Sequence, residues 1–161
     1  MPEQVWLDDL YRQHRRPLLL TAWNVLRCPC LAEDAVHSAF ARLAKLRKPP
    51  QEPKLYAFRA VRNAALDLAR VRARRREEPM LADIDRVSFE FLSIDDESLA
   101  AVSAALEMLD DVSREVVELR LHAALTFEEI AELLDRPLPT VASRYRRALE
   151  KLRQTLEVCH E

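Results

Sequence analysis

Arg59, Asn63, Asp67, Arg70 and Arg74 recur at spacings of four, four, three and four, the repeat of a single helix face. Arg62 sits beside this stripe and Tyr56 lies one turn before it. Cations, an amide and nearby aromatic rings are the groups that hold unstacked bases and their backbone. Arg72, Arg74, Arg75 and Arg76 extend the positive charge. Neutralising several phosphates this way makes binding strongly salt-dependent. A plainer reading gives Asp67 and its arginines only intrahelical ion pairs, worth a few tenths of a kcal/mol each. The two readings are compatible. Phe58, with Val61, Ala65 and Leu68, reads as the core stripe of the same helix.

A second constellation lies near the C-terminus. Thr126-Phe127-Glu128-Glu129 is a capping box, with a threonine N-cap and a glutamate three residues on. Phe127, Ile130, Ala131 and Leu134 form an apolar stripe, and Asp135-Arg136-Pro137-Leu138 stops the helix. Asp135 can take the left-handed conformation that glycine usually supplies. Pro139 suits the first position of the next helix. There Val141, Tyr145, Ala148, Leu152 and Leu156 form a buried stripe, and Thr140, Ser143, Arg144, Arg147 and Lys151 occupy the other side. Small polar groups and arginines near a helix N-terminus fit the recognition helix of a helix-turn-helix in the major groove. Arginine can pair two acceptors on guanine while its neighbours hold phosphates. The plain alternative is a helical hairpin with a charged solvent face.

The elements that carry these groups read as helices throughout. All nine prolines fall near segment edges, and the apolar residues between them repeat every three or four positions. The pattern predicts a helix from Gln4 to Arg27, kinked or split at Pro17. Further helices are expected at Leu31–Leu46, Lys54–Arg76, Leu99–Leu109, Ser113–His122, Phe127–Leu134 and Pro139–Val158. The fold class is therefore all-α, with small helical domains at 1–76 and 99–161 joined by an acidic linker at 77–98.

Charge supports that division. The whole chain is close to neutral at −2, but residues 1–76 hold 16 basic and 7 acidic side chains. Residues 77–111 hold 1 basic and 11 acidic, and residues 112–161 hold 8 and 9. A polyanion-binding block followed by an acidic connector is the expected reading. In the free protein the connector is expected to fold back on the basic domain and mask its DNA surface.

Composition excludes several classes. The 161 residues include no glycine, which removes the P-loop, the dinucleotide fingerprint and the G-x-S-x-G elbow. An all-β fold, whose tight hairpins favour glycine, is also disfavoured. Three cysteines make no disulfide framework, so a reducing cytoplasm is the expected location. No apolar run is long enough to span a membrane. Cys28-Pro29-Cys30 and Cys159-His160 match no zinc spacing, and no metal or other cofactor is expected. Glu128, Glu129 and Glu132 read as the wet face of their helix. His14, His37 and His122 read as surface or partly buried side chains. Nothing assembles a nucleophile, base and orienter, so no catalytic activity is expected.

Taken together, the motifs resemble a known family. Asp34-Ala35-Val36-His37-Ser38-Ala39-Phe40 and Phe58-Arg59-Ala60-Val61-Arg62-Asn63-Ala64-Ala65-Leu66-Asp67 look like the second conserved region of bacterial sigma factors. Leu109, Arg114-Glu115-Val116, Leu125 to Ala131, and Thr140-Val141-Ala142-Ser143-Arg144 look like the fourth. Two such regions with a short linker resemble the extracytoplasmic-function (ECF) subfamily, across about residues 5–76 and 100–156. The resemblance implies a promoter-specificity subunit of RNA polymerase that initiates transcription. It assigns Glu33, Asp34, His37, Phe40 and Arg42 to docking on the polymerase clamp helices. It assigns Tyr56, Arg59, Arg62, Asn63, Asp67, Arg70 and Arg74, with the loop Arg47–Pro53, to capturing and melting the −10 element. Thr140, Ser143, Arg144, Arg147 and Lys151 would read the −35 element. The linker would thread the RNA exit path, and about twenty extended residues reach roughly 65 Å, close to two DNA turns of about 35 Å each. The implied partners are core RNA polymerase and promoter DNA, both duplex and melted, with an anti-sigma factor as a further partner the family allows. The runner-up is a stand-alone helix-turn-helix regulator of duplex DNA.

The sequence also departs from the family pattern. His37-Ser38 replaces a common Gln-Glu, and Ala142 replaces a common lysine. Asp135, Pro137 and Pro139 replace Gly, Ser and Gly in the turn. Ala57 replaces a larger apolar residue.

Overall fold

The computed structural model describes residues 4–75 and 97–159. Contacts divide the chain into two compact units. Among the described residues every regular element is a helix, seven in all, as the all-α expectation requires.

The first unit holds α1 (Val5–Leu26), α2 (Pro29–Leu43) and α3 (Pro53–Arg74), and each packs on the other two. Phe58, Leu18, Leu26, Leu43, Val36 and Val61 are fully buried between them. Prolines start α2 and α3 at their first positions, where the missing N–H costs nothing. This sets α2 two residues earlier than expected. Its last turn tightens after Leu43, with Lys45 N–H donating to the Arg42 carbonyl at 3.2 Å. That ends the helix short of Leu46.

The expected split at Pro17 does not occur, and α1 runs through it unbroken. The proline removes one donor at about 3 kcal/mol. The turns after it bury Leu18, Leu19, Leu20, Trp23 and Leu26, each worth about 1.5–3 kcal/mol, so packing prevails. The Thr21 hydroxyl also donates to the Pro17 carbonyl at 2.9 Å. Arg27 ends the helix in the left-handed region, φ 52°. Its guanidinium lies over the Trp23 ring at 4.2 Å, which offsets part of a conformational cost of roughly 1–2 kcal/mol.

The second unit holds α4 (Glu97–Glu107), α5 (Asp111–Leu121), α6 (Phe127–Leu134) and α7 (Leu138–Cys159). The long α7 packs on α4, α5 and α6. Ala105, Leu106, Leu109, Val117, Ala148 and Leu152 form one buried cluster, flanked by Tyr145 and Leu156. Arg114 is only 3% exposed. It pairs with Asp111 at 2.6 Å and with Glu107 at 3.4 Å, tying the end of α4 to the start of α5. Of the acidic linker expected at 77–98, Glu97 and Ser98 open α4; the remainder, with its fold-back and its path, lies outside the described residues. No described helix is long and apolar enough to cross a membrane.

Candidate nucleic-acid interface

In the first unit, a cavity of about 230 Å³ opens between α2 and α3, lined by Arg42, Leu43, Tyr56, Arg59, Ala60 and Asn63. Tyr56 is 41% exposed although Phe58 beside it is fully buried, because the two point to different faces of α3. The cavity has an aromatic ring for stacking, a carboxamide that both donates and accepts, guanidinium donors and apolar lining. That combination suits a flat heterocycle with polar edges. Arg42, grouped in sequence with the docking residues, shares this cavity.

The other residues of the stripe separate by environment. Arg62 is half-buried, while Asn63, Asp67, Arg70 and Arg74 are exposed. Asp67 and Arg70 pair at 3.2 Å, both well exposed, so the pair is weak and leaves the cation available to a phosphate. Arg72 has a different task. Its Nη2 donates to the Leu26 carbonyl at 2.8 Å, closing an otherwise orphaned carbonyl at the end of α1. It therefore fastens α3 to α1 rather than extending the basic surface. Arg76 lies outside the described residues.

On α2, Glu33, Asp34 and His37 are exposed along one face. Phe40 is turned inward, with its ring 5.1 Å from that of Tyr11 on α1 in an edge-on contact. His14 stacks edge-on against Phe58 at 6.2 Å. Burial, with Lys54 nearby, lowers its pKa from the ordinary value. Cys28 and Cys30 stand at the α1–α2 turn, whereas the Cys159 side chain and His160 lie outside the described residues.

In the second unit the capping box forms as expected. Glu129 N–H donates to Thr126 Oγ1 at 3.1 Å, and Thr126 N–H donates to Glu129 Oε2 at 2.7 Å. Glu129 is thereby a cap, and Glu128 and Glu132 stay on the wet face. Arg120 braces the turn before α6, donating to the Leu125 carbonyl at 3.1 Å and lying 5.2 Å from the Phe127 ring. Phe127 in turn meets Tyr145 of α7, ring to ring, at 5.2 Å. Asp135 ends α6 in the left-handed region at φ 50°, ψ 53°. The next helix starts at Leu138, so Pro139 takes its second position rather than the first.

The helix-turn-helix brings all five expected groups of α7 together. Thr140, Ser143, Arg144, Arg147 and Lys151 line one cleft of about 380 Å³ with Leu109, Asp110, Ser113 and Ala148. Arg144 and Arg147 are not equivalent there. Arg144 Nη1 pairs with Asp110 Oδ2 at 3.1 Å, and Lys151 Nζ donates to the Met108 carbonyl at 3.0 Å. Arg147 is exposed. Asp110 also accepts the Ser113 N–H at 3.1 Å as the N-cap of α5. The Ser113 side chain chiefly, then its N–H bond and the nearby Arg144 charge, lower the Asp110 pKa. Asp110 and Ser113 are cleft residues the sequence reading missed. The signal was an Asp three positions before a Ser at the start of a helix, the N-cap pattern. Arg146, also unassigned, is exposed beside Arg147.

The comparisons with known proteins follow the same division. Residues 10–76 match sigma-70 region 2, and residues 105–154 match sigma-70, region 4. The chain belongs to the sigma-70 family. It is 32% identical over 156 residues to the ECF RNA polymerase sigma factor SigE of Mycolicibacterium smegmatis, across 92% of this chain and 61% of that one. The chain therefore spans about three fifths of that relative's length. The likeness is to a sigma factor of the extracytoplasmic-function type. Region 2 contains the α2–α3 cavity, and region 4 contains the α7 cleft. At the glycine position of the region 4 turn, Asp135 adopts the left-handed geometry itself.

Proposed function

We propose that this chain is a promoter-specificity subunit that binds core RNA polymerase, recognises −10 and −35 elements and directs transcription initiation. One observation carries the reading. A cavity suited to an unstacked base and a helix-turn-helix occur in one chain, in units that match sigma-70 regions 2 and 4 respectively. A stand-alone duplex regulator has no use for the first of these, which is why that reading is not favoured.

The proposed division of labour assigns residues 1–76 to polymerase and the −10 element, 77–98 to the linker and 99–161 to the −35 element. Glu33, Asp34 and His37 would meet the polymerase from the exposed face of α2. Tyr56, Arg59 and Asn63, joined by Arg42, would receive a base from the melted −10 strand. Arg62, Arg70 and Arg74 would hold its phosphates, with Asp67 orienting Arg70. On α7, Thr140, Ser143 and Arg147 would read the −35 duplex together with Arg144 and Lys151. The chain itself would supply selection and melting, and the polymerase would supply the chemistry. Such work belongs in the cytoplasm, with an anti-sigma factor as a further partner.

The test is run-off transcription by purified core polymerase on genomic fragments, with and without the chain. Defined start sites are expected only with it, and replacing Arg62 and Asn63 with alanine is expected to remove them. Duplex binding with no new start sites would overturn the proposal and favour the stand-alone regulator.

A further inference from the structure

Two of the cations on the α7 cleft are already engaged by the turn between α4 and α5. Lys151 is held by the Met108 carbonyl at 3.0 Å and Arg144 by the Asp110 carboxylate at 3.1 Å. The Asp110 side chain is still 62% exposed, so the pair stands at the open side of the cleft. Its carboxylate also takes up the Ser113 N–H of the first turn of α5. First-turn N–H groups, a guanidinium and an ammonium are the donors that bind a nucleic-acid phosphate. In this cleft an internal carboxylate holds that place.

We propose that Asp110 is a specificity-setting residue of the −35 interface, acting as an internal anion that withholds Arg144 from DNA phosphates. The inference rests on the promoter reading above. Binding to random duplex is supplied almost entirely by phosphate contacts. A single phosphate oxygen offers Arg144 little more than the carboxylate it already has. A guanine edge offers two acceptors in the geometry of the guanidinium fork and can displace a weak exposed ion pair. Asp110 therefore lowers affinity for random duplex more than affinity for the proper site. Thr140, Ser143 and Arg147 contribute to both.

Asp110→Asn tests this, because asparagine caps a helix as well as aspartate but carries no charge. Full-length chain is titrated by fluorescence anisotropy against a duplex that wild-type chain selects from a random pool, and against random duplex, over a range of salt. Thermal melting confirms that the variant is folded. The variant is expected to bind random duplex roughly three- to tenfold more tightly at low salt. Its salt slope on random duplex should steepen by about one. Its preference for the selected site should fall in proportion. In an Arg144→Ala background the same substitution is expected to leave the slope unchanged. Selective wild-type binding with an unaltered Asp110→Asn variant would overturn this inference alone. So would an equal effect in the Arg144→Ala background, since the charge would then act without Arg144. Failure of the wild-type chain to prefer any duplex would overturn the −35 reading and this inference with it.

Discussion

Arg72 offers the sharpest separation between a structural and a nucleic-acid role, because sequence grouped it with the basic stripe and the structure bonds it inward. Its guanidinium reaches the Leu26 carbonyl, 46 residues away, at 2.8 Å. A hydrogen bond from a charged donor is worth about 1.5–3 kcal/mol. The Arg72 side chain is only half-buried, so the low end, about 1.5 kcal/mol, applies. In a domain of about 60–100 residues each kcal/mol moves the melting midpoint by about 4–8 °C. Arg72→Ala should therefore lower the midpoint of the first unit by roughly 6–12 °C. The unit carries its own reporter, since both tryptophans, Trp6 and Trp23, lie on α1. Tryptophan fluorescence during heating reads this unit alone. The comparison is Arg74→Ala, an exposed arginine one residue beyond Ala73, expected to stay within about 0.5 kcal/mol of wild type. Binding to single-stranded −10 oligonucleotide should show the reverse. Arg74→Ala should make the salt slope shallower by about 0.7, the value for one phosphate contact on a single strand, and Arg72→Ala should leave it unchanged. An unaltered melting midpoint with a shallower slope for Arg72→Ala would refute the assignment.

Three further outcomes follow from the second unit. Ala124 holds φ at 53°, so Ala124→Gly is expected to stabilise this unit by about 0.5–1 kcal/mol, read as a higher melting midpoint by circular dichroism. A midpoint that falls would show the position is not strained. Thr126→Ala removes one arm of the capping box on an eight-residue helix and should cost about 1 kcal/mol. It should also weaken −35 duplex binding by loosening α6, which packs on α7, whereas Thr126→Ser should preserve both. The Asp110 pKa is lowered in the folded chain, first by the Ser113 hydrogen bond. Its stabilising contribution is thus present above the unfolded carboxylate pKa and is lost as pH falls through the folded value. Acid titration of Asp110→Asn should accordingly show a shallower loss of stability below about pH 4 than wild type.

Helical phase was legible in sequence, and the spatial neighbours of each polar group were not. Period, proline placement and the capping box place all seven described helices within two residues at their starts, because each of those signals is local. Phe58 against Tyr56 could be sorted the same way, since one residue in the apolar stripe and one off it must face different sides of a helix. The helix is not split at Pro17 because local propensity is weaker than the burial of the turns after it. The inward use of Arg72, Arg144 and Lys151 was invisible for another reason. A run of arginines fixes where the cations lie on the helix but not which carbonyl or carboxylate lies opposite. Those partners are 46, 34 and 43 residues away in sequence. Phe40 belongs with them, as its place against Tyr11 depends on how α2 crosses α1.

The absence of glycine bears on function. Among the described residues three non-glycine positions hold a positive φ: Arg27 and Ala124, which resist it, and Asp135, which tolerates it better. Such residues have fewer conformations to lose on folding than glycine, so a turn that accepts them is also a turn that cannot easily relax. Asp135 lies between the two helices of the DNA-reading motif, and Pro137 and Pro139 follow it. A stiff turn holds α7 at one angle to α6 before DNA arrives, and so reduces the ordering cost of binding. It also leaves α7 little freedom to adjust to a poorly matching site. The same unit ties Arg144 and Lys151 to the turn before α5. Rigidity of the backbone and restraint of the cations act in one direction: both penalise duplexes whose bases do not fit, and neither adds attraction to the phosphate chain that all duplexes share.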